Sequence, residues 1–174
     1  MKYFSCFLAL LLLVVLPGCG FKKTEDQLAE AYLEQTTGMD VNVDSSSDVT
    51  TFSMKGDDGQ TTLSSSTELP PEYPDDVPYY QGTIINAQYS NLPELSFSTC
   101  MLVIETEDQP QEVLNFYKQN FSSLGWSQIF EMTDPETGVQ TLLFTKGEDQ
   151  QVTVAVEVKE GITSITHSFV VYTY

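Results

Sequence analysis

Asp40, Asn42 and Asp44 place three oxygen ligands on alternate residues of one short segment. Calcium prefers carboxylate and amide oxygens, and the loop of an EF-hand begins with this alternation. That loop also needs glycine at its sixth position and a bidentate glutamate at its twelfth, where this chain has Ser45 and Thr51. The segment also has the composition of a strand. We therefore predict that it does not bind calcium tightly.

A second acidic run, residues 105–108 (Glu-Thr-Glu-Asp), could hold an ion only loosely. A closed zinc site takes about four ligands, and beyond its first twenty residues the chain has one histidine, His167, and one cysteine, Cys100. The 25 acidic residues guarantee chance pairs of carboxylates, so adjacency alone does not indicate glycosidase chemistry. The sequence predicts no metal site and no cofactor.

A nucleophilic site would have to be built around Cys100 or a serine. Cys100 shares its strand face with Leu102 and Ile104, which predicts a buried, apolar thiol. His167 stands between two polar residues in the last strand-like segment, which predicts a surface position. The chain has no Gly-x-Ser-x-Gly motif, no P-loop and no dinucleotide fingerprint. We predict no catalytic residues and a protein that is not an enzyme.

Residues 1–18 have the layout of a signal peptide, because one lysine, Lys2, precedes an apolar run from Tyr3 to Leu16. A helix that crosses a bilayer needs about 20 apolar residues, and this run is shorter. The charged residues that begin at Lys22 cannot extend it. A permanent transmembrane anchor is therefore the weaker interpretation, and the chain is predicted to be exported.

The end of that run, Leu16-Pro17-Gly18-Cys19, resembles the lipobox of bacterial lipoproteins. The resemblance implies that Cys19 is alkylated with diacylglycerol, that residues 1–18 are removed and that the new amino group is acylated. Two or three acyl chains, such as palmitate, would anchor the protein stably to a membrane of the cell envelope. Gly20 stands where an aspartate would retain a Gram-negative lipoprotein in the inner membrane, which favours the outer membrane if the source has one.

The charge of the chain excludes one class of partner. The formal net charge is −18 at pH 7, and all seven basic residues are lysines. Such a surface repels nucleic-acid phosphates and anionic lipid headgroups. We predict no nucleic-acid partner, and contact with the membrane through the lipid anchor alone.

The chain after the signal peptide is predicted to have two structured parts. Residues 19–23 form a tether, and residues 24–66 form a short helix and a small β-hairpin unit with an Asp-Gly turn. Residues 67–78 are rich in proline, which resists ladder pairing and favours an extended linker. Residues 79–174 form the main α+β domain.

The main domain is predicted to contain one amphipathic helix among strands. Apolar residues recur at helical spacing from Val113 to Leu124, with Pro110 in the first turn and Gly125 at the end. The remaining segments are joined by short turns, which makes neighbouring strands antiparallel. The predicted fold class is α+β: an antiparallel sheet of about six strands (ββαββββ) with the helix packed on one face, preceded by the short helix and the small β unit.

Several motifs of this region resemble uncharacterised bacterial envelope lipoproteins of unknown function. The matching residues are Leu69 to Gly82, Glu105-Thr106, Phe116-Tyr117-Lys118 and Gly125-Trp126, with residues 37–44 and 57–59 upstream. These are turns, a helix end and core aromatics. The resemblance implies an envelope location and no activity.

Together these patterns predict a lipid-anchored envelope lipoprotein whose folded part is a non-enzymatic binding or interaction module, with an unidentified envelope protein as a partner. The alternatives are a small-ligand or calcium-binding module, or a carboxylate-dependent hydrolase. The candidate contact surface consists of aromatic residues near the two ends of the main domain, namely Tyr79, Tyr80, Tyr89, Phe169, Tyr172 and Tyr174.

Overall fold

The computed structural model describes residues 23–37, 40–46, 49–56 and 59–172. The predicted signal peptide and Cys19 lie outside these ranges. Among the described residues, no helix is both long and apolar enough to cross a membrane. The helices are α1 (Lys23–Thr37) and α2 (Pro110–Ser123), with a single 3-10 turn at Pro93–Leu95. The strands are β1 (Asp40–Ser46), β2 (Val49–Gly56), β3 (Gly59–Ser66), β4 (Thr83–Leu92), β5 (Phe97–Thr106), β6 (Ser127–Thr133), β7 (Gln140–Lys146), β8 (Gln150–Lys159) and β9 (Ile162–Tyr172).

All nine described strands belong to one antiparallel sheet, in the order β1-β2-β3-β4-β5-β9-β8-β7-β6. The chain meanders from β1 to β5, crosses one face as α2, and re-enters the sheet at its far edge as β6. It then meanders back until β9 pairs with β5. The centre of the sheet is therefore closed by a pair of strands that lie far apart in sequence.

The predicted fold class is wrong. The prediction separated a small β unit from a six-stranded sheet, whereas β1, β2 and β3 continue the main sheet through the pairing of β3 with β4, where Leu63 lies opposite Ser90. The proline-rich segment was taken as the boundary between two units because proline cannot join a ladder. The prolines mark where the chain leaves the sheet, but the sheet itself continues beneath that excursion.

We call residues 69–80 the roof segment, because they pass over the same face of the sheet as α2. No residue of this segment pairs in the sheet. At its end the chain approaches β5 so closely that a Cβ on Gly82 would lie 2.6 Å from the Glu105 carbonyl oxygen. Glycine is therefore required where the roof segment returns to the sheet.

Helix α2 begins and ends where its sequence predicts. Gln109 is the N-cap, its backbone N–H donates to Glu112 Oε2 at 3.4 Å, and Pro110 opens the first turn. Gly125, with φ of 81°, reverses the chain so that the Trp126 N–H donates to the Phe121 carbonyl. These signals fix the length of the helix, so its apolar side lies over the sheet.

The core lies between α2 and the sheet. Alternate residues of β5, β7, β8 and β9 point to this face, and the apolar side of α2 meets them. The fully buried side chains include Leu102, Ile104, Val113, Tyr117, Phe121, Leu142, Phe144, Val152, Val154 and Ile165. Burial of this apolar area is the main term that holds the fold together.

Candidate functional site

His167 lies at the centre of the face of the sheet that α2 covers. It is fully buried, in contrast to the predicted surface position. Its neighbours Thr166 and Ser168 point to the other face, while Ile165 and Phe169 share its side. The prediction was wrong because it weighed the adjacent residues, whereas the residues two positions away determine the environment in a strand.

Tyr73 of the roof segment reaches His167 from above. Its hydroxyl oxygen lies 2.9 Å from His167 Nε2, and both side chains are buried. Nδ1 of His167 is also buried and has no hydrogen-bond partner. A buried polar atom without a partner is unfavourable, so this one marks a point where a further group could bind.

Aromatic rings surround this pair. The ring centroids of Tyr73, Tyr117 and Phe121 lie 5.9, 5.6 and 6.4 Å from that of His167. We call these four residues the His167 cluster. Phe121 in turn stacks on Phe144 at 4.6 Å. The cluster fills the space between the roof segment, α2 and the sheet.

The titration behaviour of the cluster follows from its burial. Desolvation lowers the pKa of His167 to about 3, so the imidazole is neutral at physiological pH. Desolvation also raises the pKa values of the hydroxyls of Tyr73 and Tyr117. The contact between Tyr73 and His167 is therefore a hydrogen bond between neutral groups. Such a pair can bind a polar group of a ligand, but it is poorly suited to proton transfer.

Cys100 lies on the same face of β5 as the core residues. It is buried, as its strand position predicts. Burial is the main cause that raises the pKa of its thiol to about 11, with a smaller contribution from Glu72. The thiol is protonated at neutral pH, and a protonated thiol is a poor nucleophile.

The roof segment is held mainly by side chains. Tyr73 and Val77 are buried in the core, and Leu69, Tyr79 and Tyr80 pack against it. Its backbone hydrogen bonds are local turns, from Tyr73 N–H to the Pro70 carbonyl and from Val77 N–H to the Pro74 carbonyl. One bond joins it to α2, because the Tyr80 N–H donates to the Tyr117 hydroxyl at 3.1 Å. Because the roof segment forms no hydrogen bonds of the sheet, it can move without breaking the pairing of the strands.

Three of the predicted contact residues, Tyr79, Tyr80 and Tyr89, are half-buried. Tyr79 packs edge-on against Tyr73, with ring centroids 5.5 Å apart. The Tyr80 hydroxyl donates to Asp108 Oδ2 at 2.6 Å. This bond raises the pKa of Tyr80 to about 12 and lowers the pKa of Asp108. Tyr79 and Tyr80 thus belong to the roof segment and its attachment.

The other three lie in or after β9. Phe169 is buried beside Trp126, with ring centroids 6.3 Å apart. Tyr172 is exposed and faces Phe97 across the pair of strands. Tyr174 lies outside the described residues. The five described side chains therefore do not form one exposed surface.

The acidic runs remain separate from the His167 cluster. Asp40, Asn42 and Asp44 lie on alternate residues of the strand β1, not in a loop. Asp108, in the second run, accepts hydrogen bonds from the hydroxyls of Tyr80 and Thr106. Within the part of the chain that the structure describes, no group of three or more His, Cys, Asp or Glu side chains is arranged to hold a metal ion.

Two surface clefts lie beside β1. The larger, of about 360 Å³, is lined by Asp26, Gln27, Glu30, Asn42, Val43 and Asp44. The smaller, of about 160 Å³, is lined by Asp40, Asn42, Ser53, Lys55 and Gln60. Both are polar and open to solvent, so they differ in kind from the aromatic cluster beneath the roof segment.

Comparison with known proteins gives one match. A family model described as START domain-like matches residues 94–162. The matched stretch includes α2 and the strands β5 to β8, and it ends at the first residue of β9. No curated protein and no solved structure matches the chain. The family match suggests a ligand-binding module.

Two functional candidates, His167 and Tyr73, were missed at the level of sequence. His167 could have been found from the alternation of Ile165, His167 and Phe169, which puts the histidine among core residues. No local signal could have found Tyr73, because its contact with His167 spans 94 residues of sequence.

Proposed function

We propose that the protein is a lipid-anchored lipoprotein of the bacterial cell envelope, and that its folded part is a non-enzymatic module for a small, largely apolar ligand. The His167 cluster fills the space beneath the roof segment in this structure, so the ligand would enter there by displacing Tyr73 and the roof segment from α2 and the sheet. One observation carries the proposal: the buried polar pair Tyr73 and His167 lies among aromatic rings beneath the roof segment, which forms no hydrogen bonds of the sheet.

The chemistry of the His167 cluster defines the ligand class. Aromatic rings surround the site, so most of the ligand should be apolar. His167 Nδ1 lacks a partner, and Nε2 would also become free if Tyr73 moved away. A ligand with one hydroxyl or carbonyl group could take over these hydrogen bonds. The match of residues 94–162 to a START domain-like model supports a ligand-binding module, and it includes α2 but neither Tyr73 nor His167.

A non-enzymatic function is supported by the state of the buried groups. His167 is neutral and its pKa is too low for a base that works near neutral pH. The pKa of the Cys100 thiol is raised, which disfavours the thiolate. These groups can hold a ligand in place, and they do not supply an activated nucleophile.

The ligand proposal can be tested with two matched probes, 1-octanol and octane. The full chain would be held in phosphatidylcholine nanodiscs, with empty nanodiscs as the blank, and the emission of Trp126 would be recorded. Trp126 is the only tryptophan and packs against Phe121, so it reports on the cluster. We expect saturable binding, tighter for octanol by about fivefold because of one neutral hydrogen bond.

Two variants make the test specific. His167→Phe should remove the preference for octanol, whereas Leu124→Ala, at an exposed position just after α2, should leave it unchanged. If neither probe changes the emission of Trp126 in a saturable way, the ligand proposal is wrong. The same result for His167→Phe and the wild-type chain would exclude His167 as the polar contact.

The lipid anchor is a separate part of the proposal and has its own test. Cys19→Ser removes the thiol that the lipobox resemblance implies is alkylated. We expect the variant to remain unprocessed or to leave the membrane fraction of a bacterial host. A variant that matures and sediments with membranes as the wild type does would contradict the anchor.

A protein contact is a second candidate function, and β6 is the observation that favours it. Every residue of β6 is exposed, and among the described strands only β7 pairs with it. Ile129, Phe130 and Met132 are large exposed apolar side chains there. An exposed apolar edge strand can pair with a segment of another protein.

A photo-crosslinking amino acid at Phe130 would test that contact in cells. The control is the same amino acid at Glu136, in the neighbouring turn. One dominant adduct from position 130 and none from position 136 would establish the contact. Equal adducts from the two positions would reject it.

A further inference from the structure

The larger cleft beside β1 lies where α1 runs along the outer edge of the sheet. This cleft is formed by two elements only, since α1 supplies Asp26, Gln27 and Glu30 and β1 supplies Asn42, Val43 and Asp44. The polar groups that line it are carboxylates and amides. The site is remote in sequence from the His167 cluster and uses none of its residues.

Three acidic residues of α1, Asp26, Glu30 and Glu34, recur every four positions and so lie in one row along the helix. Glu30 Oε1 accepts a hydrogen bond from the Val43 N–H at 2.8 Å, and Glu34 Oε1 accepts one from the Val41 N–H at 3.4 Å. Four helix residues and two strand residues both rise by about 6 to 7 Å, so the row is in register with the edge. Two of the three acids are therefore engaged by the backbone of β1.

Asp26 continues this row, but its Oδ1 does not accept a hydrogen bond from the backbone of β1. Its side chain is only 8% exposed, and its Oδ1 is buried without a hydrogen-bond partner. The Ser45 hydroxyl, farther along β1, is likewise buried and unpaired. A buried oxygen acceptor without a hydrogen-bond partner is unfavourable. Asp26 thus lines the cleft, and its shielded Oδ1 is an acceptor that has no partner among the described residues.

The character of the cleft indicates which occupant would fit. Its charged lining residues, Asp26, Glu30 and Asp44, are all negative. The three ion pairs among the described residues lie elsewhere and use Lys118, Lys146 and Lys159. The carboxylates are not arranged to chelate a metal ion, and about 360 Å³ is more than a bare ion fills. The occupant should be a larger group that donates several hydrogen bonds.

We propose that this cleft binds an organic cation, a primary ammonium or a guanidinium, with Asp26 Oδ1 as its principal acceptor and Asp44 and Asn42 as further acceptors. A guanidinium carries five N–H donors and an ammonium carries three, and both form charge-assisted hydrogen bonds to carboxylates. The chain has no arginine, so a guanidinium would come from another molecule. The cation could be a free polyamine or a basic side chain of a protein.

Calorimetric titration of the full chain in nonionic detergent micelles tests the site, with spermidine, N-acetyl-arginine amide and calcium chloride at equal ionic strength. We expect saturable binding of at least one organic cation. Asp26→Asn should weaken it by about tenfold, as expected for the loss of a charge-assisted hydrogen bond. Asp44→Asn, at an exposed position, should also weaken it, and it keeps the test valid if Asp26→Asn unfolds.

The control is Glu136→Gln, which removes the same charge from an exposed turn far along the chain. It should leave the binding of the organic cation unchanged. Binding of spermidine alone indicates a free polyamine, and binding of the arginine compound as well indicates a basic side chain. The proposal is overturned if no organic cation binds, if Glu136→Gln weakens binding as much as Asp26→Asn does, or if calcium is the only cation that binds.

Discussion

The two helices of this protein are attached to the same sheet in different ways. Helix α2 buries Val113, Leu114, Tyr117 and Phe121 against the middle of the sheet. For α1, burial is described from Asp26 to Gln35, and the only buried residue in that range is Asp26, at 8% exposure. Its apolar side chain Leu28 is 72% exposed. The first helix is thus held through carboxylates at the edge of the sheet and the second through apolar burial.

The difference determines what each helix contributes. Apolar burial scales with area and ties α2 to β5, β7, β8 and β9 at once, so α2 should unfold only with the whole sheet. Carboxylates that accept from backbone N–H groups of β1 satisfy a strand edge that would otherwise be open. Each such bond at a partly exposed edge contributes about 1 kcal/mol, which is less than the burial of one aromatic ring in the core contributes. We infer that α1 protects the edge of the sheet and can detach from it locally.

The largest expected contrast is between an apolar truncation on each helix. Phe121→Ala removes a fully buried ring from the His167 cluster and should lower the free energy of unfolding by about 3–5 kcal/mol. Leu28→Ala removes an exposed side chain from α1 and should change it by less than about 0.5 kcal/mol. Urea unfolding of the two variants, followed by circular dichroism, measures both. Similar losses in the two variants would show that α1 is also held by apolar contacts.

Mild acid should lower the free energy of unfolding through His167, which is buried beneath α2. The pKa of His167 is about 3 in the folded state and about 6.5 in the unfolded chain, because burial disfavours the charged imidazole. Between these values the unfolded state binds one more proton, so stability is full above pH 6.5 and falls as the pH is lowered. From pH 7 to pH 5 the expected loss is about 1–2 kcal/mol.

The control for this effect is His167→Gln, which can still share a hydrogen bond with Tyr73 but does not titrate. Urea unfolding at pH 7 and pH 5 should show that the variant loses less stability on acidification than the wild type. His167 is the only histidine, so no other histidine contributes in this window. An equal loss in both proteins would mean that burial does not lower the pKa of His167 in the folded state.

The sequence correctly predicted those structural features that depend on residues close together in the chain. Gln109, Pro110 and Gly125 define the ends of α2, and the alternation in β5 places Cys100 on the buried face. These predictions depend on residues within a few positions of each other, where capping and periodicity apply. The same reasoning could not reveal that β3 and β4 pair across the roof segment.

The candidate site could not be predicted from the sequence, because its contacts also join residues that lie far apart in the chain. Tyr73 meets His167 only because the roof segment turns back over the sheet, and no periodicity in residues 69–80 indicates that path. In α1, the large apolar side chains of Leu28 and Tyr32 are both exposed. The contacts with β1 come from the acidic row instead. A helix that packs through carboxylates has no hydrophobic signature.

The smallest expected effect concerns that acidic row. Glu30→Ala removes the acceptor for the Val43 N–H, so the outer edge of β1 should open more often. Global stability should fall by less than about 1 kcal/mol, while amide exchange at Val43 should become about fivefold to tenfold faster. Exchange measured by NMR gives both numbers, with the exposed Gln35→Ala on the same helix as the control. If Glu30→Ala instead lowered the stability of β5 and β9 as much as that of β1, the edge would be part of the cooperative core, and the two helices would not differ as inferred.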